Sequence, residues 1–375
     1  MAGIYIHIPF CRKRCTYCDF YTQIAPKLVP SFVDAALKEI EYRKDYLGNE
    51  IIDTIYFGGG TPSIITQSDF ERFFKNISSF HTISTDAEIT FEANPDDLSI
   101  EYLEGIRKLP FNRISIGIQS LIDRDLKKVN RRHTGQQAIQ AVQNAKSAGF
   151  ENISIDLIYG LPNQTIDEWK SNLLQAFELD VQHISIYGLT YEEGTKLWVE
   201  RKQGISPNLD DETMNEMYLI TIDEMSKHGY DRYEISNFCK NGLQSKHNSS
   251  YWKGEKYLGI GPSAHSYDEK SRQWNISNTE EYVKAVQKMD KFFEVEVLTT
   301  DNMYNDYVMV SLRTANGANL NKIQNEFGPK YASHFLKSIE NHIKNGLVIE
   351  ENDIYTLSIN GIMVSNSVLV DAMMA

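Results

Sequence analysis

The sequence predicts an α/β fold, an open partial (β/α)6 barrel of the TIM type followed by a smaller C-terminal α+β domain. Short β-branched runs alternate with amphipathic helical patterns, which is typical of a parallel sheet built from βα units. Polar residues follow the ends of these runs, where β/α barrels carry their catalytic groups. The chain of 375 residues is long enough for a barrel and one appended domain.

Six predicted strands form the barrel, and five predicted helices connect them. The strands are Ile4–Ile8, Ile52–Phe57, Glu88–Glu92, Arg113–Gly117, Ile153–Leu157 and His183–Tyr187. The helices are Ser31–Tyr46, Ser68–Ser78, Ile100–Lys108, Gln136–Ala148 and Ile166–Leu179. We therefore expect residues 1–210 to form the barrel.

The pattern changes after the sixth strand. A predicted helix at Asp211–His228 and a glycine-rich stretch at Tyr257–His265 indicate that residues 211–297 extend the barrel and carry a connecting region. Residues 298–375 resemble a winged helix, with predicted helices Tyr304–Thr314, Leu320–Phe327 and Tyr331–Asn345 and a hairpin at Leu347–Leu357. Residues 300–375 contain five Lys and Arg against eight Asp and Glu, so we expect a lid or interaction domain rather than a DNA-binding one.

Composition narrows the expected partners and compartment. The formal net charge of -13 argues against a basic track for nucleic acid. No apolar run approaches the ~18 residues of a membrane span, so we expect no stable membrane insertion. The first residues lack the charged start and apolar stretch of a signal peptide. We therefore expect a cytoplasmic protein.

Three cysteines, Cys11, Cys15 and Cys18, are spaced as C-x3-C-x2-C. A disulfide framework is disfavoured because three is an odd number and Cys239 lies far along the chain. Structural zinc usually takes paired C-x2-C knuckles, of which the chain shows none. Three thiolates on one loop can bind three irons of a [4Fe-4S] cluster and leave the fourth iron open. We predict that cluster here.

Glycines and polar residues at or after the strand ends are expected to meet at one rim of the barrel. They are Gly58, Gly59, Gly60 and Thr61 after the second strand, Glu92 at the end of the third, Gln119 after the fourth, Arg131 further on and Asp156 at the end of the fifth. Glycines admit a ligand close to the backbone, and arginine can bind a carboxylate with two hydrogen bonds. The alternatives are that the glycines only form a tight turn, that Arg131 lies in a solvated basic turn, and that the other polar groups are buried and hydrogen-bond to one another.

The segments around the cysteines resemble the radical S-adenosylmethionine (SAM) superfamily, in particular its oxygen-independent coproporphyrinogen III oxidase branch. These segments are Tyr5-Ile-His-Ile-Pro-Phe-Cys11 and Tyr17-Cys18-Asp19-Phe20. The resemblance implies that the open iron binds SAM and that an electron donor such as a flavodoxin or ferredoxin reduces the cluster. Electron transfer to the sulfonium would then release a 5′-deoxyadenosyl radical. The SAM contacts that the resemblance implies are Tyr5, Tyr17, Gly59, Gly60, Thr61, Glu92, Gln119, Arg131 and Asp156.

The segment His247-Asn248-Ser249-Ser250-Tyr251-Trp252 matches the H-N-x-x-Y-W motif of the HemW group, a family of heme chaperones. The resemblance implies heme as cargo and hemoproteins, respiratory enzymes among them, as acceptors. An imidazole suits heme iron, and Tyr251 and Trp252 suit the porphyrin face. Each has a structural alternative, a polar-loop histidine or aromatic core anchors. Further candidates are Lys246, Lys253 and Lys256 for the propionates and His265 and Cys239 for the iron, with Cys239 favoured as a buried apolar residue.

Two functions therefore remain open. The first is a heme-binding and heme-transfer protein of the radical SAM superfamily. The alternative is a coproporphyrinogen III dehydrogenase that carries out SAM-dependent oxidative decarboxylation to protoporphyrinogen IX. Phe20 stands where the resembled enzyme has a fourth cysteine, and the chain has a short N-terminus. These differences favour the first function, and whether SAM is cleaved productively is left undecided.

Overall fold

The computed structural model describes residues 2–206 and 209–374, so residues 1 and 375, the outer ends of the predicted domain division, lie outside the described residues. Six parallel strands form the partial barrel and follow one another in chain order across the sheet. They are β1 (Ala2–Ile8), β2 (Ile52–Gly59), β3 (Ile83–Ala93), β4 (Arg113–Gln119), β5 (Asn152–Tyr159) and β6 (His183–Gly188). Each predicted strand lies within an observed one, and the predicted fold class is confirmed.

The helices between these strands also match the predicted pattern, with ends that shift by a few residues. They are α1 (Val29–Tyr42), α2 (Gln67–Phe80), α3 (Ile100–Ile106), α4 (Asp123–Lys128), α5 (Gly135–Ser147) and α6 (Ile166–Glu178). Three short 3-10 helices stand at Pro26–Leu28, Pro62–Ile64 and Pro95–Asp97. Threonine side chains cap α5 and α6 in capping boxes, which accounts for where these helices begin.

The alternation within β1 sets the two faces of the barrel. Ile4, Ile6 and Ile8 are fully buried in the hydrophobic core between the sheet and its helices. Tyr5 and His7 lie between them in sequence and therefore face the inside of the barrel. The barrel interior thus carries aromatic and polar side chains, whereas the apolar core lies outside it.

The sheet is wider than the sequence predicted, with twelve strands among the described residues. Beyond β6 lie β8 (Asn237–Cys239) and β7 (Asp231–Arg232), both antiparallel to their neighbours. Beyond β1 lie β9 (Lys256–Ile260), parallel to it, and then β10 (His265–Tyr267), β11 (Ser271–Asn275) and β12 (Phe293–Val297). The helices of this region are α7 (Lys196–Lys202), α8 (Asp211–Lys227), α9 (Lys246–Lys253) and α10 (Thr279–Lys288). The sheet crosses residue 210, and a domain boundary there stays a prediction.

The C-terminal unit has its own core and a three-stranded antiparallel sheet. Its elements are α11 (Thr300–Ser311), β13 (Ala318–Asn319), α12 (Leu320–Phe327), α13 (Pro329–Lys344), β14 (Val348–Glu351), β15 (Ile354–Leu357), α14 (Ile359–Met363) and α15 (Ser365–Ala372). The order helix, strand, two helices and hairpin is that of a winged helix. The Ala315 N–H donates to the Tyr233 carbonyl at 3.0 Å, and Arg272 pairs with Asp306. These contacts join the unit to the barrel.

None of the helices in the described part of the chain is both long enough and apolar enough to cross a membrane.

Candidate functional site

The three predicted cluster ligands lie on the loop that leaves the carboxyl end of β1. Backbone hydrogen bonds hold this loop to the barrel, from Cys11 N–H to Gln23 at 3.0 Å and from Thr16 N–H to Val129 at 3.2 Å. Cys11, Cys15 and Cys18 are half-buried free thiols. They lie close enough for their charges to influence one another. The loop therefore gathers three soft donors at the rim.

Two side chains donate hydrogen bonds to these sulfurs. The Thr61 hydroxyl lies 3.5 Å from the Cys11 Sγ, and Arg131 Nη1 lies 3.4 Å from the Cys15 Sγ. Hydrogen bonds and a nearby cation stabilise thiolate ligands and tune the potential of a cluster. Tyr17, between the last two cysteines, packs against a small apolar cluster that includes Leu161 and Leu189.

Asn94 joins the two donors and was not identified from the sequence. Its Nδ2 donates to Thr61 Oγ1 at 3.0 Å, and its Oδ1 accepts from Arg131 Nη2 at 2.6 Å. Arg131 also donates to the carbonyl of Gly117, so it is a bound side chain rather than part of a solvated turn. The available signal was the position of Asn94 directly after the third strand, two residues beyond Glu92.

The glycine-rich loop after β2 packs against the end of β1. Gly60 N–H donates to the Ile8 carbonyl at 2.8 Å, and a Cβ on Gly60 would lie 2.6 Å from the Phe10 carbonyl oxygen. Gly59 has φ of 104° and stands against the His7 ring. Contact with β1 is therefore sufficient to require both glycines, and their contact with SAM stays a prediction.

Glu92 and Asp156 face each other across the barrel interior. Glu92 accepts hydrogen bonds from Gly59 N–H at 3.1 Å and from the Tyr56 hydroxyl at 2.8 Å. Burial, with a contribution from the neighbouring Asp156 carboxylate, raises the pKa of Glu92 to about 7. Burial likewise raises the pKa of Asp156, which accepts from Ser115 at 3.4 Å. The interior thus holds two acids with weakened acidity.

Arg113 supplies the positive charge between these acids, and sequence reasoning missed it. It is only 1% exposed, and its charge lowers the pKa of both Glu92 and Asp156 against the larger effect of burial. Together with Tyr5 and Tyr187 these groups line a polar cavity of about 160 Å³. Arg113 is the first residue of a predicted strand, and its sequence context does not reveal which way the side chain points.

The raised pKa of Glu92 predicts a dependence of stability on pH. In the folded protein the Glu92 carboxyl binds its proton more tightly than in the unfolded chain, where its pKa is the ordinary 4.5. This difference stabilises the fold at low pH, and the contribution is lost as pH rises from about 4.5 to about 7. Urea unfolding of wild type minus Glu92→Gln should therefore give a difference in unfolding free energy that falls by up to ~3 kcal/mol over this interval. A difference that rises with pH would contradict the assignment. Asp156 and Arg113 line the same cavity in both the wild type and the Glu92→Gln variant, so only the side chain at position 92 differs between the two.

Gln119 lies at the end of β4 with φ of 68°, in the left-handed region that non-glycine residues rarely adopt. The register of β4 against β5 shifts at this point, between Gly117 and Gln119. The backbone of β4 therefore bends at Gln119, which is a predicted SAM contact. The side chain of Gln119 departs from the regular alternation of the strand.

The H-N-x-x-Y-W motif forms α9, which lies across the barrel near the amino end of β1. His247 is 1% exposed, and both of its ring nitrogens have partners, Thr54 Oγ1 at 2.7 Å and the Tyr251 hydroxyl at 2.9 Å. Its ring stacks on Tyr56 at 5.0 Å. Burial, followed by the charge of Arg113, lowers the pKa of His247 to about 3. In this geometry the contacts of His247 with Thr54 and Tyr56 hold α9 against the barrel. A heme contact by His247 stays a prediction.

The other candidates near this motif are differently placed. Lys256 pairs with Glu50 at 3.2 Å and Glu269 at 3.7 Å, and Lys246 donates to the Asp86 carbonyl at 3.0 Å. Their expected role as free partners for propionates is therefore weakened, because each is already bound. Cys239 is 1% exposed on β8, so the interpretation as a buried apolar residue is confirmed.

Comparison with known proteins was made against this geometry. The profile of the radical SAM superfamily matches residues 5–175. Heme chaperone HemW of Lactococcus lactis subsp. lactis is 33% identical over 365 residues, which cover 97% of this chain and 95% of that protein. Heme chaperone HemW of Bacillus subtilis is 32% identical over 373 residues, or 98% of each chain.

The chain belongs to the HemW family of the radical SAM superfamily. The solved structure of the Escherichia coli coproporphyrinogen III oxidase HemN, a radical SAM enzyme, superposes with a TM-score of 0.86, covering 99% of this chain and 90% of that chain at 22% identity. At this identity the similarity establishes the fold of the HemW-family chain alone.

Radical SAM proteins use a [4Fe-4S] cluster and SAM, and the donor set of this HemW-family chain fits the cluster. No group of three or more His, Cys, Asp or Glu within residues 2–206 and 209–374 could hold a single metal ion. A [4Fe-4S] cluster does not require such a group, because each thiolate binds a different iron. Three neighbouring free thiols, two of which accept hydrogen bonds from Thr61 and Arg131, match that requirement.

A large cavity of about 1460 Å³ opens between the β9–β11 face of the barrel and the C-terminal unit. Its lining is rich in aromatic and methionine side chains, among them Trp252, Tyr257, Tyr267, Trp274, Met303 and Phe327. The same cavity reaches His7, Tyr21 and Phe20 beside the cysteine loop. Phe20 is 62% exposed. In this HemW-family chain, one continuous space therefore connects the predicted cluster site with the C-terminal unit.

Proposed function

We propose that this protein binds heme and transfers it to acceptor hemoproteins, with a [4Fe-4S] cluster and SAM bound at the rim of its barrel. Relatives that match nearly the whole chain carry the name heme chaperone HemW. The single observation that carries the proposal is the aromatic-lined cavity of about 1460 Å³. Ligand pockets usually measure roughly 300–1,000 Å³, so this cavity can admit a macrocycle.

The rim residues have distinct roles in the proposal. Cys11, Cys15 and Cys18 hold the cluster, and Thr61 and Arg131 hold the first two thiolates in place through the hydrogen bonds to their sulfurs. When bound and reduced by a flavodoxin- or ferredoxin-type donor, the cluster would supply low-potential electrons to SAM. The residues proposed to contact SAM are Tyr5, Tyr17, Gly59, Gly60, Thr61, Glu92, Gln119, Arg131 and Asp156.

Glu92 and Asp156 can orient the hydroxyls and amine of SAM because carboxylate oxygens accept hydrogen bonds. Gly59 N–H and the Tyr56 hydroxyl hold the Glu92 carboxylate against the end of β2. With a pKa of about 7, Glu92 is able to hold or release a proton at neutral pH.

The large cavity is the proposed heme site. Heme is flat and apolar except for one edge that carries two anionic propionates, so it requires aromatic walls and cations at the opening. Tyr251 and Trp252 line the cavity from α9, and Met303 and Phe327 line it from the C-terminal unit. The exposed Lys253 lies at the edge of the same cavity, where it can meet a propionate.

The test is an anaerobic titration of the cluster-reconstituted protein with hemin, followed by addition of an apo-hemoprotein. A saturable change in the Soret band and appearance of the holo-acceptor are expected. Non-saturable heme uptake without transfer would overturn the proposal. Turnover of coproporphyrinogen III under reducing conditions with SAM would instead identify a dehydrogenase.

Trp252→Ala should weaken heme binding about tenfold, because loss of one stacking side chain costs roughly 1.5 kcal/mol. Trp198→Ala is the matched control. Trp198 is also half-buried, but it lies on α7 and does not line the cavity. Equal heme affinity of the two variants would exclude Trp252 from the heme site.

A further inference from the structure

We propose that His265 is the protein ligand to the iron of heme in the large cavity, an inference that rests on the proposed heme-binding function. His265 lies on β10, lines the cavity and has an exposed side chain. In the part of the chain that the structure describes, neither of its ring nitrogens has a hydrogen-bond partner, and neither is engaged in an ion pair. A free imidazole at an apolar wall is what heme iron binds.

The other histidine on the cavity wall is already engaged. His7 is 6% exposed. Its Nδ1 lies 3.0 Å from the Tyr5 hydroxyl, and its Nε2 lies 3.0 Å from the Tyr21 carbonyl. A bond from His7 to iron would break one of these contacts, one of which holds the loop that carries the cysteines.

The motif histidine is also unsuited to the role as placed. His247 does not line the large cavity, because Tyr251 stands between them with its hydroxyl on His247 Nε2. Exposure of its ring would require the loss of hydrogen bonds to Thr54 and Tyr251 and of stacking on Tyr56. Cys239, the other candidate, is buried on β8 at the opposite edge of the sheet.

The backbone aims His265 at the cavity. The turn between β9 and β10 passes through Gly261 and Ser263, both at positive φ, of 100° and 63°. The side chain of Ser266 is buried and bonds to Gly259 N–H at 2.9 Å. Because side chains alternate along a strand, His265 and Tyr267 lie on the opposite face, toward the cavity.

The surroundings of His265 suit a neutral imidazole beside a porphyrin. Trp274 pairs with it across β10 and β11, with ring centroids 6.2 Å apart. His265 is only partly shielded from solvent, and this partial burial, followed by the charge of Arg272, lowers its pKa, which keeps Nδ1 or Nε2 available to a metal. His265 also lies near enough to His7 to lower the pKa of His7. His265 therefore lies in the part of the cavity that is near His7 and the cysteine loop.

The experiment compares three histidine variants by anaerobic hemin titration, with absorption and electron paramagnetic resonance spectra of the bound heme. His265→Ala is expected to lose the spectrum of imidazole-ligated heme and to bind hemin about tenfold more weakly, and added imidazole should restore the spectrum. His247→Ala and the control His342→Ala, which lies on α13 outside the cavity, should keep the wild-type spectrum. Cluster absorption and circular dichroism establish that each variant is folded.

The outcomes separate this inference from the function on which it rests. Saturable heme binding by His265→Ala with an unchanged spectrum would overturn the ligand assignment and leave the heme-binding proposal intact. Loss of the spectrum in His247→Ala alone would assign the ligand to the motif instead. Absence of saturable binding in the wild type would overturn the proposed function and this inference with it.

Discussion

Cys15→Ala is expected to give a folded protein that cannot be reconstituted with a stable [4Fe-4S] cluster. Cys15 is the middle ligand of the loop, and its sulfur accepts a hydrogen bond from Arg131 at 3.4 Å. Removal of this thiolate leaves one iron without a protein ligand and leaves Arg131 Nη1 without its sulfur acceptor, whereas Nη2 keeps Asn94 and Gly117. A cluster held by two thiolates on a half-exposed loop should dissociate.

The measurement is the iron and sulfide content after anaerobic reconstitution, together with the visible absorption of the cluster. Cys239→Ala is the matched control, since that cysteine is buried on β8 and far from the loop. It should retain the wild-type content. A Cys15→Ala protein with the full iron and sulfide content would show that the loop is not the cluster site.

Gly259→Ala is expected to destabilise the protein by about 3 kcal/mol and to abolish heme binding at the proposed site, because overpacking against backbone leaves no room for relaxation. A Cβ on Gly259 would lie 2.0 Å from the His265 carbonyl oxygen and 2.9 Å from its carbonyl carbon. Gly259 also pairs with Tyr5 across β9 and β1. The strand therefore cannot move without disturbing either the barrel or the position of His265.

Urea unfolding and hemin titration of the same variant measure both effects. Gly105→Ala is the control, because its Cβ would approach only the side chain of Gln67, and alanine favours the helix α3 by up to ~1 kcal/mol. If Gly259→Ala had the stability and heme affinity of the wild type, the backbone at His265 would not pack against Gly259 as described.

The cysteine loop and the six βα units could be predicted because their signals are local. Alternating apolar residues such as Ile4, Ile6 and Ile8 indicate a strand with one face in the core, and the starts of the five predicted barrel helices lie within two residues of the observed ones. The strands β10 and β11 were missed because they are short and carry many polar residues, as in Ser271–Asn275. Their strand conformation depends on pairing with neighbours rather than on their own pattern.

The polar site was predicted in part. The strand-end rule placed Glu92, Gln119 and Asp156 at one rim. The structure has Glu92 and Gln119 at the carboxyl ends of β3 and β4, but Asp156 lies within β5, three residues before its end, and lines the interior cavity. Arg113 and Asn94 were missed, because a buried cation or a bridging amide is recognised only by the groups it meets. Those groups come from other strands and loops, for example Thr61 for Asn94.

By itself the sequence determined the class of fold, the three-thiol loop and the resemblance to the HemW family, since each depends on residue spacing and side-chain type. Only the tertiary structure decided which histidine is accessible. His247 is bonded to Thr54, 193 residues away in sequence, whereas His265 lies exposed on the wall of a cavity that the C-terminal unit completes. Solvent exposure and hydrogen-bond satisfaction are properties of contacts between distant segments, and no local pattern encodes them.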